Sequence, residues 1–464
     1  MKLVVNTAAL TPAETSARQL RQLGEPGPPF TSYPAAARFS HAFGPDQYRH
    51  ALRQRAEGAV VGGVKPLSLA LNFPHCAPLD PDCSRDLVHL LVREVELHRL
   101  ELGATQAVSQ LHLGVASPTA LGDEELSDLM RVLRGAFRIL AGAELSIDVD
   151  PQTASLQRLR HLVSLGFNRV SFGVQDFDPV VQAAAHRQQS YESLTELVAE
   201  ARALRFESIN ADLFIGLPQQ TPEAFRRTVT QMAALHPTCI RLHSHTRPLR
   251  HSLESKALSR GGQCGQCGQL GQLRQMRADA FAGFTRQGYV HLGMDHFALP
   301  TDALAVAKRL GRLRRNFQGY ATQPEGDQIA LGVSAIGRMG ATYSQNAMTL
   351  PGYRQALAQG QFPVVCGLVL SRDDLLRRSV IMAILCQGRV EFEAIELAHL
   401  VKVEAVFAAE LQRLQTFEAL GLVHVNAQEI QVTDKGWFCI RAIAMVFDRY
   451  LPPTDPREHL SRVV

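Results

Sequence analysis

The feature that most constrains this chain is a repeated alternation of strand and helix patterns through its middle. Leu67, Leu69, Leu71 and Phe73 are spaced as in a strand, and further strand patterns lie near 108–116, 144–149, 169–174, 209–215 and 240–243. Helical faces separate them: Val88/Leu91/Val92/Val95, a helix from about Asp123, Leu156/Leu159/Val163, Leu194/Leu197/Val198/Ala201 and Phe225/Val229/Met232. Ser84 reads as an N-cap, Gly166 as a helix end, and Thr221-Pro222-Glu223 as a cap followed by proline at the first helical position. Six strands, each followed by a helix, require parallel pairing with crossovers. The choices are a doubly wound sheet or a full or partial (β/α) barrel. Asn72, Asp148, Gln175, Asp212, His243 and His245 close successive strands. In a parallel barrel these ends form the active face.

The flanks differ. Glu25-Pro26-Gly27-Pro28-Pro29-Phe30-Thr31-Ser32-Tyr33-Pro34 excludes regular helix, and its aromatic residues predict an ordered arm packed on the rest. Gly261 to Gln272 is low in complexity and reads as a loop before a helix. After about Ser371 the pattern turns helical and ends in a hairpin-like pair and a last helix, an order that also suits a winged-helix unit. With 464 residues the chain has room for a barrel and a smaller domain. Lys+Arg 48 against Asp+Glu 44 excludes a strongly basic nucleic-acid protein. Val364 to Leu370 is too short to span a bilayer, which takes ~20 residues, and Asn6 and Thr7 interrupt any signal-peptide core. We expect a cytoplasmic monomer. Eight cysteines in such a chain are not a disulfide framework. Cys239, Cys366, Cys386 and Cys439 read as buried hydrophobes, leaving the pairs Cys76/Cys83 and Cys264/Cys267 for argument. A lone C-x2-C such as Cys264-Gly265-Gln266-Cys267 needs two more ligands to hold zinc.

The strand from Pro66 to Phe73 leads into Cys76-Ala77-Pro78-Leu79-Asp80-Pro81-Asp82-Cys83. Cys76 and Cys83 have the spacing of the outer cysteines in C-x3-C-x2-C, the cluster signature of radical S-adenosylmethionine enzymes. Other strings carry the resemblance further: Phe30-Thr31-Ser32-Tyr33-Pro34, Gly173-Val174-Gln175-Asp176-Phe177, Asp212-Leu213-Phe214-Ile215-Gly216-Leu217-Pro218, Met294-Asp295-His296-Phe297, Arg315-Asn316-Phe317-Gln318-Gly319-Tyr320 and Gly332-Val333-Ser334-Ala335-Ile336. In order, from about residue 25 to the C-terminus, the chain resembles the oxygen-independent coproporphyrinogen III oxidases.

The resemblance implies an α/β fold: a partial (β/α) barrel of the radical S-adenosylmethionine type with an N-terminal arm and a mainly helical C-terminal domain. We divide the chain into an arm and helix (1–60), the barrel (61–300), a connecting segment (301–370) and the C-terminal domain (371–464). The resemblance also implies oxidative decarboxylation of coproporphyrinogen III to protoporphyrinogen IX in haem biosynthesis. S-adenosylmethionine, cleaved by a reduced [4Fe–4S] cluster, yields the radical that attacks a propionate. Two propionates become vinyl groups, and an electron donor and acceptor take part. Cys76 and Cys83 match cluster ligands, with Asp80 at the third position. Ala116, Ser117, Asp148, Gln175, Arg187, Asp212 and Ile336 match contacts to S-adenosylmethionine, Asp148 being shorter than the usual glutamate.

The departures concentrate on the chemistry. Asp80 puts a hard carboxylate where soft thiolates suit iron. Asp82 and Arg85 replace an aromatic and a further cysteine, and Ala70 and Asn72 a tyrosine and a histidine. Gly114-Val115-Ala116-Ser117-Pro118 stands where the family reads Gly-Gly-Gly-Thr-Pro, so side chains at Val115 and Ala116 crowd the cofactor's approach. Two readings follow. One is the radical enzyme. The other is a non-catalytic paralogue that binds porphyrin or haem as carrier or regulator, for which the run His243-Ser244-His245-Thr246-Arg247-Pro248-Leu249-Arg250-His251 offers imidazoles and cations.

Overall fold

The computed structural model describes residues 32–58, 65–73, 81–103, 106–114, 118, 121–244, 263–317, 319–323 and 326–451, with backbone only for 81–83 and 263–270. Six strands form in the expected units: β1 (Leu67–Asn72), β2 (Ala107–Gly114), β3 (Arg138–Val149), β4 (Arg169–Gln175), β5 (Ser208–Ile215) and β6 (Cys239–Ser244). The six run parallel to one another, and the helices between them cross over. Their side chains alternate strictly. Leu69, Leu71, Leu111, Leu113, Ile147, Val170, Phe172, Ile209 and Ile240 point to the helix layer and are fully buried there. Each such side chain contributes roughly 1.5–3 kcal/mol of burial. The opposite parity is polar, which makes the inner face a lumen rather than a second core. A parallel sheet is ordinarily apolar on both faces.

The chain does not leave the sheet at residue 300. After β7 (Val290–Gly293) and β8 (His296–Ala298), which close one edge antiparallel, a small hairpin forms from β9 (Arg314–Asn316) and β10 (Gly319–Ala321). Then β11 (Gln328–Gly332) returns to the other edge and pairs parallel with β1. Antiparallel strands β12 (Ile336–Met339), β13 (Thr342–Asn346) and β14 (Val364–Val369) extend it. The segment expected to be a connector therefore supplies part of an open twelve-stranded sheet. Its strand runs are short, so periodicity did not reveal them.

Two local expectations are corrected. The helix expected after a loop at 261–272 already runs from Gln263 to Arg286, because Gln and Leu favour helix and its glycines are tolerated. Ser84 lies inside the helix Pro81–Leu102 rather than capping it. Thr221 does cap its helix, accepting from the Ala224 amide at 3.2 Å. Cys239, Cys366, Cys386 and Cys439 are buried thiols outside any disulfide.

The C-terminal part has its own core around Val380, Ile384, Phe407, Leu414 and Ile443. Its helices flank a sheet of β15 (Arg389–Glu391), β16 (Val423–Val425) and β17 (Glu429–Val432), in the order β15-β17-β16. This is a winged-helix order of elements. The helix Ala408–Ala419 exposes Ala408, Ala409, Gln412, Gln415 and Ala419, so it presents no basic stripe for nucleic acid. Among the described residues no helix is long and apolar enough to cross a membrane.

Specific contacts tie the parts together. Tyr33 of the arm is fully buried and donates to Asp374 Oδ1 at 3.3 Å, against the C-terminal domain as expected; Phe30 lies outside the described residues. Asp295, before β8, pairs with Arg441 of the C-terminal domain at 3.1 Å and with Arg277 at 3.6 Å. Burial opposes ionisation of Asp295, yet the two guanidinium groups hold its carboxyl below the usual range.

Glu94, on the helix Pro81–Leu102, is almost wholly buried and gathers three donors from the returning segment: Gly332 N at 2.8 Å, Asn346 Nδ2 at 2.7 Å and Tyr353 Oη at 2.6 Å. Burial outweighs these donors and pushes its carboxyl up to about 7. A raised acid keeps its proton in the fold while the unfolded chain loses it. The Glu94 contribution to stability is thus fully present below the ordinary carboxyl range and is lost as pH rises towards 7. The loss is on the order of 3 kcal/mol. Urea unfolding of wild type and Glu94→Gln between pH 4.5 and 7.5 isolates it: the stability of the wild type relative to the variant should fall across that range, since the buried histidines His98, His291 and His296, whose lowered pKa values make stability rise with pH, act alike in both proteins.

Candidate active site

Strand register arranges the inner side chains in tiers. The tier nearest the strand N-termini holds Gln328, Ser68, Gln110 and Glu144; the next holds Ala70, His112, Ser146 and Arg169. Above them sit Gly114, Asp148 and Ser171, then Gly173, Asp212 and Arg241. All of these but Gly114, Gly173 and Asp212 line a lumen covered on one side by Asn316, Tyr320, Ala321 and Thr322 from the β9–β10 hairpin and its exit.

Within the lumen the polar groups are paired across strands. Ser68 donates to Gln110 at 2.9 Å, and Gln110 to Glu144 at 3.1 Å. Arg169 pairs with Glu144 at 3.2 Å, and Thr322 donates to the same carboxylate. Towards the strand C-termini Arg241 is the organiser. Its Nε donates to Asp212 Oδ1 at 2.5 Å, and its Nη2 to Asp212 Oδ2 at 2.7 Å and to Ser171 Oγ at 2.5 Å. His243 Nε2 lies 3.5 Å from Asp212 Oδ1, with its ring stacked on Phe214. Burial opposes the Asp212 charge, but Arg241 and His243 overcome it and hold the carboxyl below its usual range.

Asp148 is different. Arg241 Nη2 is 3.9 Å from its Oδ1 and His112 Nε2 is 3.8 Å from its Oδ2. Neither distance is a hydrogen bond. Oδ1 is buried with no hydrogen-bond partner among the described residues. A buried carboxylate oxygen with no donor is costly, and a ligand hydroxyl or ammonium would satisfy it. His112 Nδ1 meets Ser146 Oγ at 2.9 Å, and burial lowers its pKa even beside Asp148, which favours the neutral ring.

The residues predicted to contact S-adenosylmethionine divide by position. Asp148 lines the lumen and Asp212 is held at its wall by Arg241. Gln175 ends β4 with φ 67°, and Arg187 stands nearby, donating to Gly173 O at 3.4 Å. Arg187 grips Asp150, one of the chain's own carboxylates, through two bonds, at 3.2 and 3.1 Å. Ile336 opens β12, half-buried, on the same strand face as Arg338. Cys76, Asp80, Val115, Ala116, Ser117 and the run from His245 to His251 lie outside the described residues, as do the side chains of Cys83, Cys264 and Cys267. Sequence reasoning missed Arg241, His112, Ser171 and Glu144. Their common signal is parity: each shares a strand face with Asp148 or Asp212, or registers with one that does.

Two family descriptions match: the Radical SAM superfamily over residues 76–232 and the HemN C-terminal domain over residues 370–439. An oxygen-independent coproporphyrinogen III oxidase of Pseudomonas aeruginosa is 38% identical over 463 residues, covering 96% of this chain and 98% of the relative. The chain belongs to the oxygen-independent coproporphyrinogen III oxidase family. The relative of that name in Escherichia coli is 38% identical over 449 residues, covering 94% of this chain and 96% of its own length. The solved structure of coproporphyrinogen III oxidase (HemN) from Escherichia coli, a radical SAM enzyme, superposes with a TM-score of 0.81 at 38% identity, covering 91% of this chain and 98% of that one. The coproporphyrinogen oxidase fold thus frames the tiers above, with a mostly parallel central sheet and a helical C-terminal region.

The upper tiers also need Gly114. A Cβ there would lie 2.2 Å from His112 Nε2 and 2.6 Å from Asp148 Oδ2. Gly114→Ala should therefore lower the unfolding free energy by about 1–3 kcal/mol. Adding His112→Ala should recover part of that loss. Urea denaturation of the single and double variants measures both.

Proposed function

We propose that this chain acts on coproporphyrinogen III as an oxygen-independent oxidative decarboxylase in the cytoplasm, binding S-adenosylmethionine at the upper tiers of the lumen. The observation that carries the reading is the buried, undonated Asp148 Oδ1 beside the Arg241–Asp212 pair, at a position that the resemblance gives to a cofactor contact. When bound, S-adenosylmethionine supplies the hydrogen-abstracting chemistry of the family. Asp148 offers an acceptor for its ribose hydroxyls or ammonium group. Asp212 acts through Arg241, which it holds in place. Arg187, locked by Asp150, presents its remaining N–H groups at the end of β4. Hairpin residues Asn316 and Tyr320 close the lumen and exclude water from the reacting centre.

The lumen residues fit the cofactor. The cluster loop does not fit a three-thiolate site: Cys76-x3-Asp80-x2-Cys83 brings two soft ligands and one hard one, and prolines at 78 and 81 stiffen it. We therefore expect turnover limited by cluster retention. No observation favours the carrier reading over the oxidase one.

Anaerobic reconstitution with iron and sulfide tests this. The wild type should retain well under the about four irons per chain of a complete cluster. Asp80→Cys should raise iron and sulfide content and improve complementation of an anaerobic oxidase deletion, without reaching full 5′-deoxyadenosine release, because Val115 and Ala116 remain. A wild type with a full cluster and rapid release would make Asp80 a working ligand. Failure of both proteins to complement, with clusters intact, would overturn the oxidase assignment.

A further inference from the structure

Gly114 ends β2 without a side chain, and two side-chain acceptors converge on the space this leaves. A Cβ there would collide with both His112 Nε2 and Asp148 Oδ2, although 3.8 Å separates those two atoms from each other. The register partners of His112 are small: Ala70 on β1 and Ser146 on β3. One tier above Asp148, a Cβ added at Gly173 would meet nothing within 4 Å. The lumen is therefore open beside the two acceptors, and both line it.

Hydrogen bonding fixes what His112 offers. Ser146 donates its hydroxyl hydrogen to Leu111 O at 3.3 Å, so the same oxygen accepts from His112 Nδ1 at 2.9 Å. A neutral imidazole protonated at Nδ1 carries its free lone pair on Nε2. Burial disfavours the charged ring, in keeping with that tautomer. Nε2 and Asp148 Oδ2 are then both acceptors, and neither can satisfy the other. Arg241 Nη2, 3.9 Å from Asp148 Oδ1, already supplies positive charge, so the pair lacks hydrogen-bond donors rather than a cation. A single donor atom about 2.9 Å from both acceptors would subtend an angle of only about 80°, narrower than the tetrahedral spread of an ammonium's N–H bonds. Two hydroxyls on adjacent carbons reach both acceptors without that compression.

We propose that His112 is a specificity residue of the cofactor site: its Nε2 and Asp148 Oδ2 each accept one hydroxyl of a ribose vicinal diol. The inference rests on the S-adenosylmethionine reading, and it adds the part of the ligand that these tiers recognise and a residue that recognises it. A ligand lacking either hydroxyl leaves one of the two acceptors unpaired, which is the physical source of the selectivity. Ser146 acts through His112 as a positioning residue, since its bond fixes the tautomer and the plane of the ring.

Calorimetric titration of the full-length chain with S-adenosylmethionine and with its 2′-deoxy and 3′-deoxy analogues tests this. The wild type should bind S-adenosylmethionine roughly tenfold more tightly than either analogue. His112→Phe keeps a flat ring and removes the acceptor. It should bind S-adenosylmethionine roughly tenfold more weakly than the wild type and cease to discriminate against one analogue, the one lacking the hydroxyl that Nε2 accepts. His112→Gln, which offers an amide oxygen at similar reach, should restore part of that discrimination. Circular dichroism and melting verify the fold of both variants, and the wild-type comparison stands whatever their folding. Discrimination unchanged in His112→Phe, or a uniform loss for all three ligands as a packing role gives, would overturn the role of His112 and leave the cofactor reading standing. A wild type that binds all three ligands equally would do the same. A wild type that binds none of them would remove the cofactor reading and this inference together.

Discussion

The buried pair of Asp212 and Arg241 is the constraint on which the rest of the lumen depends. These two residues face each other across neighbouring parallel strands, at 14% and 18% side-chain exposure, and are joined by two hydrogen bonds. Removing one partner of such a pair costs roughly 3–5 kcal/mol, because the other is left charged and dry. Polar residues on the inner parity of β1 to β6 can be retained only while such cross-strand partners satisfy them. That pairing leaves Asp148 Oδ1 buried without a donor among the described residues. The undonated atom is a consequence of the geometry, since Arg241 reaches Ser171 and Asp212 and stops 3.9 Å from Asp148.

The departures from the family pattern and the features kept by the fold lie in different places. Asp80, Val115 and Ala116 lie outside the described residues, shortly after β1 and β2 in sequence, and Asp82 falls in the first turn of the helix Pro81–Leu102. Asp148 and Asp212 sit on strands, and Arg187, in the turn region after the helix Pro179–Ala184, is fixed by its pair with Asp150. A change of ligand in a loop costs little stability, while a change on an inner strand position leaves a buried charge unmatched. On the proposed reading the chain combines a retained lumen with an altered cluster motif, Cys76-x3-Asp80-x2-Cys83.

Much of the barrel was legible in the sequence because the outward parity of each strand is apolar and each intervening helix carries an apolar face. The C-terminal helices and the buried Tyr33 followed from similar reasoning. The four strands β11 to β14 were not legible: they hold four to six residues each, and β11 is buried throughout, which periodicity does not separate from other apolar runs. Of the site, strand-end polarity indicated Asp148 and Asp212. Arg241, His112 and Glu144 were hidden because one polar residue on a strand carries no signal until the register sets it beside another.

The most direct measurement is calorimetric titration of S-adenosylmethionine into wild type and Arg241→Lys. Lysine keeps the charge opposite Asp212 but loses the fork that spans Asp212 and Ser171. If the tiers built on Arg241 form the cofactor site, the wild type binds saturably and Arg241→Lys binds at least roughly tenfold more weakly with its fold intact. Equal affinity in the two proteins would contradict the account.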